Sequence, residues 1–373
     1  MASKKIGITG HNGFLGSHIK NIINYKFQNY QIVDFKRKFF NDGLSMSNFV
    51  SNCDVIIHLA GLNRHNSTEE ITKVNVQLAK TLSRALVSNN FKGSLIYSSS
   101  LQIYNDSVYG KSKKKAGEIF TEAASNGRFS FINLILPNIF GPFGKPNYNS
   151  FISTFSDRLI RGKSPKIIKD EKVPLIYAES AAIHILNQVD KGGIHKIDIP
   201  QENSKQVSEV LHQLKNFYKT YIKRGIIPKL ENNFAVQLFN TFRSALDHSK
   251  YFPKPHNLNL DERGHFSELI RSNSQSQVSY SVTRPGIVRG NHFHTRKIER
   301  FIVVQGEALI QMRRIGTKER FDYKLSGETP SYLDIPIWTT HNITNTGKKD
   351  LITIFWINEH YNPEDADVYY EKV

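Results

Sequence analysis

The sequence contains almost no cysteine and no long apolar run, and both shortages narrow its class. Cys53 is the single cysteine among 373 residues, so an intramolecular disulfide is impossible and a reducing cytoplasm is the expected location. No stretch is apolar over the length that crosses a bilayer, and the first residues lack the apolar stretch of a signal peptide. We therefore expect a cytoplasmic protein that does not associate with membranes.

Acidic residues are scarce relative to basic ones. Asp and Glu total 33 against 50 Lys and Arg, which gives a formal net charge of +17. This excess raises the alternative of a protein that binds nucleic acid. The lysines are scattered, however, and their densest cluster, at 111–115, has no interleaved aromatic residues and no known nucleic-acid motif. We expect no nucleic-acid partner, and a basic field that would suit a diphosphate-bearing substrate.

The remaining composition is that of an ordinary globular protein whose length predicts more than one domain. Hydrophobic residues make up 39% and charged residues 22% of the chain. At about 150 residues per domain, a chain of this length holds two or three domains, and we interpret the pattern as two. Because Pro253 and Pro255 mark a change in character, we predict domains at 1–250 and 251–373.

The order of apolar runs predicts the fold of each domain. From Ile6 to about Pro142, short apolar runs alternate with stretches of helical spacing, which indicates an α/β Rossmann-type domain with a doubly wound parallel sheet. The predicted strands are 5–9, 30–34, 55–58, 94–98 and 129–136, and later helices are predicted within 205–222 and 233–245. After residue 251, short strands separated by turns run to Trp356 and predict an all-β jelly-roll barrel.

A glycine-rich loop follows the first predicted strand. Gly10, Gly13 and Gly16 are three residues apart and precede a helical stretch. At such glycines the backbone can approach a pyrophosphate, and the helix N-terminus supplies amide donors. An ordinary turn is the alternative, but the strand before it and the helix after it favour dinucleotide binding. The candidate contacts also include Asn12, Phe14 and Leu15.

The end of the second predicted strand bears on the choice of nicotinamide cofactor. Asp34 lies where an acidic side chain would bind the ribose hydroxyls of NAD. Arg37, between Lys36 and Lys38, would instead suit the 2′-phosphate of NADP. These residues leave both cofactors open.

Tyr109 and Lys113 are four residues apart, so they share one face of a predicted helix. We expect the lysine cation to lower the pKa of the phenol and make it a better proton donor to a ketone that receives hydride. Such a pair arises by chance in a lysine-rich chain with 16 tyrosines. The pair therefore becomes informative only through its position along the chain.

The order of motifs resembles that of the extended short-chain dehydrogenase/reductase family over roughly residues 5–245. The glycine loop is followed by His58-Leu-Ala-Gly61, Ser98-Ser-Ser100, and then Tyr109 with Lys113. The resemblance implies a catalytic set of Ser100, Tyr109 and Lys113, with Ser99 as the alternative serine. It also implies that Leu59, Ala60 and Lys113 contact the cofactor.

A histidine cluster is the most specific pattern in the chain. His292 and His294 are two residues apart, so on a strand their imidazoles share a face. Glu299 adds an oxygen ligand and His341 a third nitrogen. This set suits zinc, and also iron, nickel or manganese. Two hydrogen-bonded surface histidines would be the alternative to a metal site.

The segment around the histidines resembles the first cupin motif. Residues 286–299 agree with that motif at its defined positions, and 336–345 resemble the second, except that Trp338 replaces the usual glycine. The resemblance implies a cupin domain with one divalent metal, which we expect to be zinc.

Together the two halves are similar to the family of bifunctional UDP-sugar enzymes of the UDP-N-acetyl-L-fucosamine pathway, which serves bacterial capsules and O-antigens. The likeness extends through segments 261–268, 289–294 and 355–359. It implies that the cupin epimerises C3 of a UDP-2-acetamido-2,6-dideoxy-4-hexulose and that NADPH, or alternatively NADH, then reduces C4 to give the L-talose derivative. It also implies a homodimer or higher homo-oligomer.

The resemblance leaves two questions open. The base that removes the C3 proton is unassigned, with His265, Glu268 and Tyr280 as candidates. Three alternatives to the bifunctional enzyme remain: a keto-sugar reductase with a structural cupin, a nicotinamide-sensing scaffold without turnover, and the nucleic-acid-binding protein considered above.

Overall fold

The computed structural model describes residues 3–27, 29–256, 259–261, 264–266, 269–270, 272, 276–359 and 362–373, with 259–261 and 264–266 as backbone. Its α-helices are α1 Phe14–Lys26, α2 Gly43–Ser51, α3 Thr68–Ser88, α4 Val108–Gly127, α5 Phe151–Ile160, α6 Ala178–Leu186, α7 Val207–Phe217, α8 Asn233–Arg243 and α9 His248–Tyr251. Short 3₁₀ helices cover Arg37–Asn41, Leu101–Tyr104 and Pro363–Asp365, and a π-helix covers Tyr218–Ile222. Within these residues, no helix has both the length and the apolarity to span a bilayer.

The strands fall into a first group up to residue 206 and a second group beyond residue 253. The first group is β1 Lys4–Thr9, β2 Tyr30–Val33, β3 Val55–His58, β4 Ser94–Ser100, β5 Ser130–Leu136, β6 Asn138–Phe140, β7 Lys172–Tyr177, β8 Ile194–Asp198 and β9 Asn203–Gln206. The second group is β10 Lys254–Pro255, β11 Asn259–Asp261, β12 Gly264–Phe266, β13 Gln277–Thr283, β14 Val288–Phe293, β15 Glu299–Gln305, β16 Glu307–Arg314, β17 Arg320–Ser326, β18 Ser331–Ile335, β19 Thr339–Asn345, β20 Leu351–Ile357 and β21 Tyr369–Tyr370.

The chain packs as two compact units, of which the first contains the residues up to Thr154 together with Ile167–Val210. Its main sheet is parallel and has the order β2-β1-β3-β4-β5-β8. The central strands consist largely of buried β-branched and leucine residues, as expected for a sheet covered on both faces. The five predicted strands are confirmed, and β8 is an additional strand. The reversal of strand order between β1 and β3 places the glycine loop where open α/β sheets bind ligands.

The second unit contains Phe155–Lys166 and Leu211–Val373. Its β-rich part contains the two-stranded sheet β11-β12 and two larger antiparallel sheets, with orders β10-β18-β15-β20-β13 and β17-β16-β19-β14-β21. The two larger sheets share one hydrophobic core, to which Ile302, Leu333, Ile310, Met312 and Ile343 belong. The predicted antiparallel β-rich region is therefore confirmed, while its assignment as a cupin barrel stays a prediction.

The helices after Leu211 group with the β-rich part rather than with the parallel sheet. The helix predicted over 205–222 forms only from Val207, as α7 followed by the π-helix, because Lys205 and Gln206 belong to β9, and the one predicted over 233–245 forms as α8. The predicted boundary at 250/251 lies inside the second unit, and as a boundary between functional domains it stays a prediction.

Candidate active site and metal centre

The glycine loop has the tight geometry that only glycine allows. Gly10 has a φ of +79°, and a Cβ on it would lie 3.0 Å from the backbone nitrogen of Ala60. A Cβ on Gly16 would lie 2.3 Å from the Gly10 carbonyl oxygen. Gly13 is the residue before α1, so the exposed loop residues Asn12 and Gly13 adjoin the free amides of the helix N-terminus. These features fit a pyrophosphate.

The loop after β3 is fixed against the glycine loop. The Thr9 hydroxyl lies 2.7 Å from Nδ1 of buried His58, and the backbone nitrogen of Ala60 donates to the same hydroxyl at 3.4 Å. The nitrogen of Leu59 donates to the Thr9 carbonyl at 3.1 Å. Burial, with a smaller contribution from Lys113, lowers the pKa of His58 to about 3, so the imidazole is neutral at physiological pH. The predicted contacts Leu59 and Ala60 therefore lie beside the predicted phosphate site.

The residues that would select the cofactor are exposed. Asp34 directly follows β2, and its carboxylate lies 3.8 Å from the Lys36 ammonium. Arg37 begins the adjacent 3₁₀ helix and is also exposed. An acid and cations thus stand together at this strand end, and their geometry favours neither cofactor.

Lys113 is buried on α4 within a hydrogen-bonded setting. Its ammonium lies 4.5 Å from the ring centre of Tyr97 and 5.9 Å from that of Tyr109. On the neighbouring helix, the Asn75 side chain accepts a hydrogen bond from the Leu62 nitrogen and donates one to the Leu62 carbonyl. It also donates to the Ser112 hydroxyl at 2.9 Å. The buried Asn75 thus links the loop after β3 to the turn of α4 that carries Lys113.

The pKa values of the tyrosine–lysine pair differ from our expectation. Burial lowers the pKa of Lys113 to about 7, which removes much of its charge near neutral pH. Burial, assisted by Tyr148, raises the pKa of Tyr109. The expected net lowering of the Tyr109 pKa is therefore wrong for the cofactor-free chain, because the burial of the phenol itself raises that pKa.

Ser100 ends β4, and its hydroxyl accepts a hydrogen bond from the Gln102 backbone at 3.2 Å. The 3₁₀ helix after it packs on the first turn of α4: the Ser107 hydroxyl donates to the Gln102 side chain at 3.2 Å and also caps α4. Ser99 points to the opposite side of the strand and is 4% exposed. Ser100 is half-buried and therefore the more accessible of the two serines.

In the second unit, the structure brings the four predicted metal ligands together. One ligand atom from each of His292, His294, Glu299 and His341 lies within 4.8 Å of the others. One oxygen of Glu299 lies 3.0 Å from Nε2 of His294 and 3.2 Å from Nε2 of His341. His294, Glu299 and His341 are at most 5% exposed. Such a cluster of imidazoles and a carboxylate fits one divalent cation.

The sheet pairing explains why these residues converge. His292 on β14 pairs directly with His341 on β19, and a bulge between Gly290 and His292 adjusts the register. Gly290 has a φ of +99°, and a Cβ on it would lie 2.7 Å from the His341 carbonyl oxygen. Glu299 is the first residue of β15.

The protonation of the cluster also suits a cation. Burial, with help from His341 and His294, lowers the pKa of His292 to about 4. Burial alone would raise the pKa of Glu299, but His294 and His341 outweigh it and hold it far below its usual value. Nε2 of His294, Nε2 of His341 and one Glu299 oxygen are buried without a well-formed hydrogen bond. Buried polar atoms in this state fit a site that takes a metal.

Trp338 departs from the cupin motif at a position where glycine has a physical purpose. Its φ is +54°, in the left-handed region that favours glycine. The indole is 1% exposed, and its ring centre lies 5.3 Å from that of Phe293 in a stacked arrangement. The Trp338 nitrogen donates to the His294 carbonyl at 2.7 Å. Stacking and this hydrogen bond hold the backbone conformation that glycine would adopt freely.

The structure bears on one of the three candidate bases. Tyr280 pairs with Ile354, which pairs with Ile302, so its side chain lies on the sheet face opposite to that of Glu299. It is 72% exposed. Tyr280 is therefore not placed to act at the metal centre. Glu268 and the side chain of His265 lie outside the described part of the chain.

Comparison with known proteins identifies the family. Residues 6–197 match the NAD dependent epimerase/dehydratase family, so the chain belongs to that family. Residues 259–369 match the polysaccharide biosynthesis C-terminal domain.

Two similar proteins match the chain over both units. The chain is 29% identical over 372 residues, or 98% of each chain, to UDP-2-acetamido-2,6-beta-L-arabino-hexul-4-ose reductase of Pseudomonas aeruginosa. Among solved structures, the capsular polysaccharide assembling protein CapF from Staphylococcus aureus is 30% identical, with a TM-score of 0.61 over 99% of this chain and 100% of that one. A shorter match, 28% identical over 121 residues, covers 29% of this chain and 78% of the spore coat polysaccharide biosynthesis protein SpsL of Bacillus subtilis.

Proposed function

We propose that the chain is an NADPH-dependent ketoreductase that reduces C4 of a UDP-2-acetamido-2,6-dideoxy-4-hexulose during capsule or O-antigen synthesis. The observation that carries this proposal is the buried Lys113 beside Tyr109, in the same unit as a glycine loop shaped for a pyrophosphate. The relative from P. aeruginosa, a reductase of a UDP-linked 4-hexulose, supports the choice of substrate class.

In the reduction, the chain supplies the proton and the geometry. Bound NADPH would provide the hydride for C4. The Tyr109 hydroxyl donates a proton to the oxygen that becomes the C4 alcohol, and the Ser100 hydroxyl orients the ketone by a hydrogen bond. The Lys113 ammonium binds the nicotinamide ribose hydroxyls, which would compensate for its burial.

We further propose that the β-rich part is a cupin whose metal centre epimerises C3 before the reduction. His292, His294, Glu299 and His341 would hold one divalent cation, with zinc as the expected metal. Such a cation would polarise the 4-keto group and acidify the C3–H bond. Self-association into a homodimer or larger oligomer stays a prediction from family resemblance.

A second candidate is a reductase with a structural metal centre. The burial of His294, Glu299 and His341 favours it, because structural sites are closed whereas catalytic sites keep an open position. Half-buried His292 is the most accessible of the four ligands and so marks the side from which a substrate would approach in the first proposal.

Heavy water separates the two candidates. The keto-sugar is incubated with NADPH in D₂O, and carbon-bound deuterium in the product is located by mass spectrometric fragmentation. The bifunctional enzyme gives a reduced product with deuterium at C3, whereas a reductase with a structural cupin gives a reduced product without it. An absence of reduced product would refute the ketoreductase itself.

Substitution of two metal ligands tests where the C3 exchange occurs. We expect the double variant His292→Ala and His294→Ala to lose zinc and C3 deuteration, because too few ligands remain for a tight site. Reduction of an already epimerised substrate should continue, since the reductase residues belong to the first unit. Normal C3 exchange in the metal-free variant would show that the metal is not the epimerisation catalyst.

Tyr109→Phe tests the reductase assignment. Loss of the proton donor should lower the reduction rate by about 10²- to 10⁴-fold, because a general acid typically accelerates a reaction by that factor. C3 exchange, which depends on the second unit, should persist. Tyr30→Phe is the matched control, because Tyr30 lies on β2 away from the predicted catalytic set. Equal turnover in the two variants would remove Tyr109 from the mechanism.

A further inference from the structure

The carboxy-terminal segment 362–373 encloses the loop that joins two of the metal ligands. We propose that Asp367 is a positioning residue of the metal centre, an inference that rests on the proposed function of that centre. Asp367 lies far beyond His341 along the chain and belongs to neither histidine motif. Its side chain and its backbone carbonyl each make contacts that fix the ligands.

The Asp367 carboxylate occupies a nest of backbone amides. It accepts hydrogen bonds from the nitrogens of Thr295, Arg296 and Lys297 at 3.0, 2.9 and 3.0 Å, and from the Thr295 hydroxyl at 2.6 Å. Consecutive amides that converge in this way form an anion-binding concavity. Asp367 is 5% exposed, so water does not compete freely for these bonds. The loop between His294 and Glu299 is therefore wrapped around one buried carboxylate.

The backbone of the same residue orients an imidazole. Nδ1 of His294 lies 2.5 Å from the Asp367 carbonyl oxygen, which can only accept a hydrogen bond. A neutral His294 thereby carries its proton on Nδ1, which leaves Nε2, 3.0 Å from Glu299, as the atom that would bind a cation. Asp367 has a φ of +45°, an uncommon conformation that its side-chain bonds to the loop help to hold.

Other residues of segment 362–373 form hydrogen-bonded pairs with β14, the strand that carries His292. Tyr370 on β21 pairs with His292, and Tyr369 pairs with Phe293. The Glu371 nitrogen donates to the Asn291 carbonyl at 2.9 Å. Each histidine of the HxH motif is thus held from the same stretch of chain. The segment supplies the outer shell that a metal site needs to bind tightly.

The charges around the loop support this arrangement. The ammonium of buried Lys297 donates to the Ala366 carbonyl at 2.6 Å, and Arg296 pairs with Asp365 at 2.8 Å and with Glu359 at 3.1 Å. Arg296 and its partners are partly exposed, so screening weakens those pairs. Of the three acidic residues at this loop, Asp367 is the buried one. Its removal should therefore disturb the loop more than removal of Glu359 or Asp365.

A zinc competition titration of the full-length chain tests the role of Asp367. Asp367→Asn preserves size but removes the charge and turns one acceptor into a donor that faces backbone N–H groups. Outer-shell partners typically change metal affinity by about 10- to 100-fold, so the Kd for Zn²⁺, measured against a chromophoric chelator, should rise by about tenfold or more. The thermal unfolding midpoint of each metal-free variant is recorded in parallel.

Asp365→Asn is the matched control, because it removes the same charge from the same segment. Asp365 pairs with Arg296, and its side chain is 65% exposed. The Kd of the Asp365→Asn variant for Zn²⁺ should therefore differ from that of the wild type by about threefold or less. Equal Kd values for Asp367→Asn and Asp365→Asn would overturn the positioning role while leaving the metal centre intact. A wild-type chain that binds zinc no better than the double histidine variant would overturn both.

A milder variant covers the case in which Asp367→Asn does not fold. Thr295→Val removes one hydroxyl donor to Asp367 and leaves the backbone nest unchanged. Zinc affinity should fall by several-fold, and the metal-free unfolding midpoint should stay near that of Asp365→Asn. If affinity instead follows the metal-free midpoint across all variants, Asp367 supports folding alone and the inference fails.

Discussion

At the scale of single residues, Lys113 shows what the sequence could and could not predict. Its spacing from Tyr109 and its place after the serine strand predicted a role, and the two side chains do lie together. The burial of its ammonium against Tyr97 was not predictable, since it depends on how α4 packs on β4. The burial of Tyr109 likewise raises the pKa of its phenol, against our expectation, because desolvation is a property of the fold rather than of the motif.

The lowered pKa of Lys113 predicts proton uptake on cofactor binding. The free chain has a Lys113 pKa of about 7, below its ordinary value, so near pH 8 the side chain is mostly neutral. Ribose hydroxyls favour the ammonium and raise its pKa, so binding NADPH should take up about one proton. Calorimetry in buffers of different ionisation enthalpy measures this number.

The uptake should disappear in Lys113→Met, which has no proton to gain. Lys114→Met serves as the control, because Lys114 is exposed on the same helix and should leave the uptake unchanged. As the pH rises from 7 toward 10, wild-type affinity should fall, since protonating Lys113 becomes harder. A pH-independent affinity with no uptake would contradict the assignment of Lys113 to the ribose.

At the scale of elements, the central strands of the parallel sheet were predictable because they are buried on both faces and consist largely of apolar residues. The missed strand β8 has the sequence IHKID and is largely exposed, so it carried no such signal. The metal ligands were predictable because three of them lie close together along the chain. Asp367 was not, because its partners are brought to it only by tertiary folding.

Strand β13 has an inverted pattern, which bears on Tyr280. Its exposed residues are apolar, namely Val278, Tyr280 and Val282, while Gln277 and Ser279 on the other face are polar and half-buried. Gln277 pairs with Ile357, which pairs with Glu299, so the polar face is the face of the metal ligand.

We expect Tyr280→Phe to retain C3 exchange, measured as deuterium incorporation. A large loss would mean that Tyr280 reaches the substrate by another route.

A buried ion pair joins the helical segment of the second unit to the β-rich part. Arg300 donates to Asp334 at 2.7 Å and to the Gly225 carbonyl at 3.0 Å, and both charged side chains are 2% exposed. The Tyr221 hydroxyl, from the π-helix, donates to the same carboxylate. Arg300 directly follows the metal ligand Glu299 and lies on the opposite face of β15. This cluster therefore packs the helices against a strand of the metal centre.

Removal of the carboxylate should destabilise the second unit strongly. Asp334→Asn leaves Arg300 buried without its counterion, which typically costs about 3–5 kcal/mol of unfolding free energy. Tyr221→Phe removes one hydrogen bond to the carboxylate and should cost about 1.5–3 kcal/mol. Denaturant unfolding followed by tryptophan fluorescence measures both, since Trp338 and Trp356 belong to this unit. Equal stability of Asp334→Asn and wild type would contradict the claim that the buried Arg300–Asp334 pair stabilises the packing of the helices on the β-rich part.

At the scale of the whole molecule, the sequence and the packing divide the chain at different places. The prolines near 253 mark a change from helices to strands, which is a change of local structure. Besides Phe155–Lys166, the second packing unit runs from Leu211 onward, and within that stretch Tyr221 and the Gly225 carbonyl satisfy buried groups of Arg300 and Asp334. Such contacts join residues that are far apart in the sequence, so they do not alter local composition or periodicity. The division at Leu211 could therefore not be located from local sequence patterns.

The position of the division predicts how fragments behave. A fragment of residues 211–373 keeps the partners of Asp334 and Arg300, whereas a fragment of residues 251–373 exposes that pair to solvent and loses the apolar contacts of α8. Both fragments contain the two tryptophans, so their denaturant midpoints are compared by the same fluorescence signal. We expect the longer fragment to unfold cooperatively at a clearly higher midpoint and to bind zinc more tightly, since Glu299 lies next to the cluster. Equal midpoints would mean that the β-rich part folds independently, and the boundary near residue 250 would then describe the folding units better than the one at Leu211.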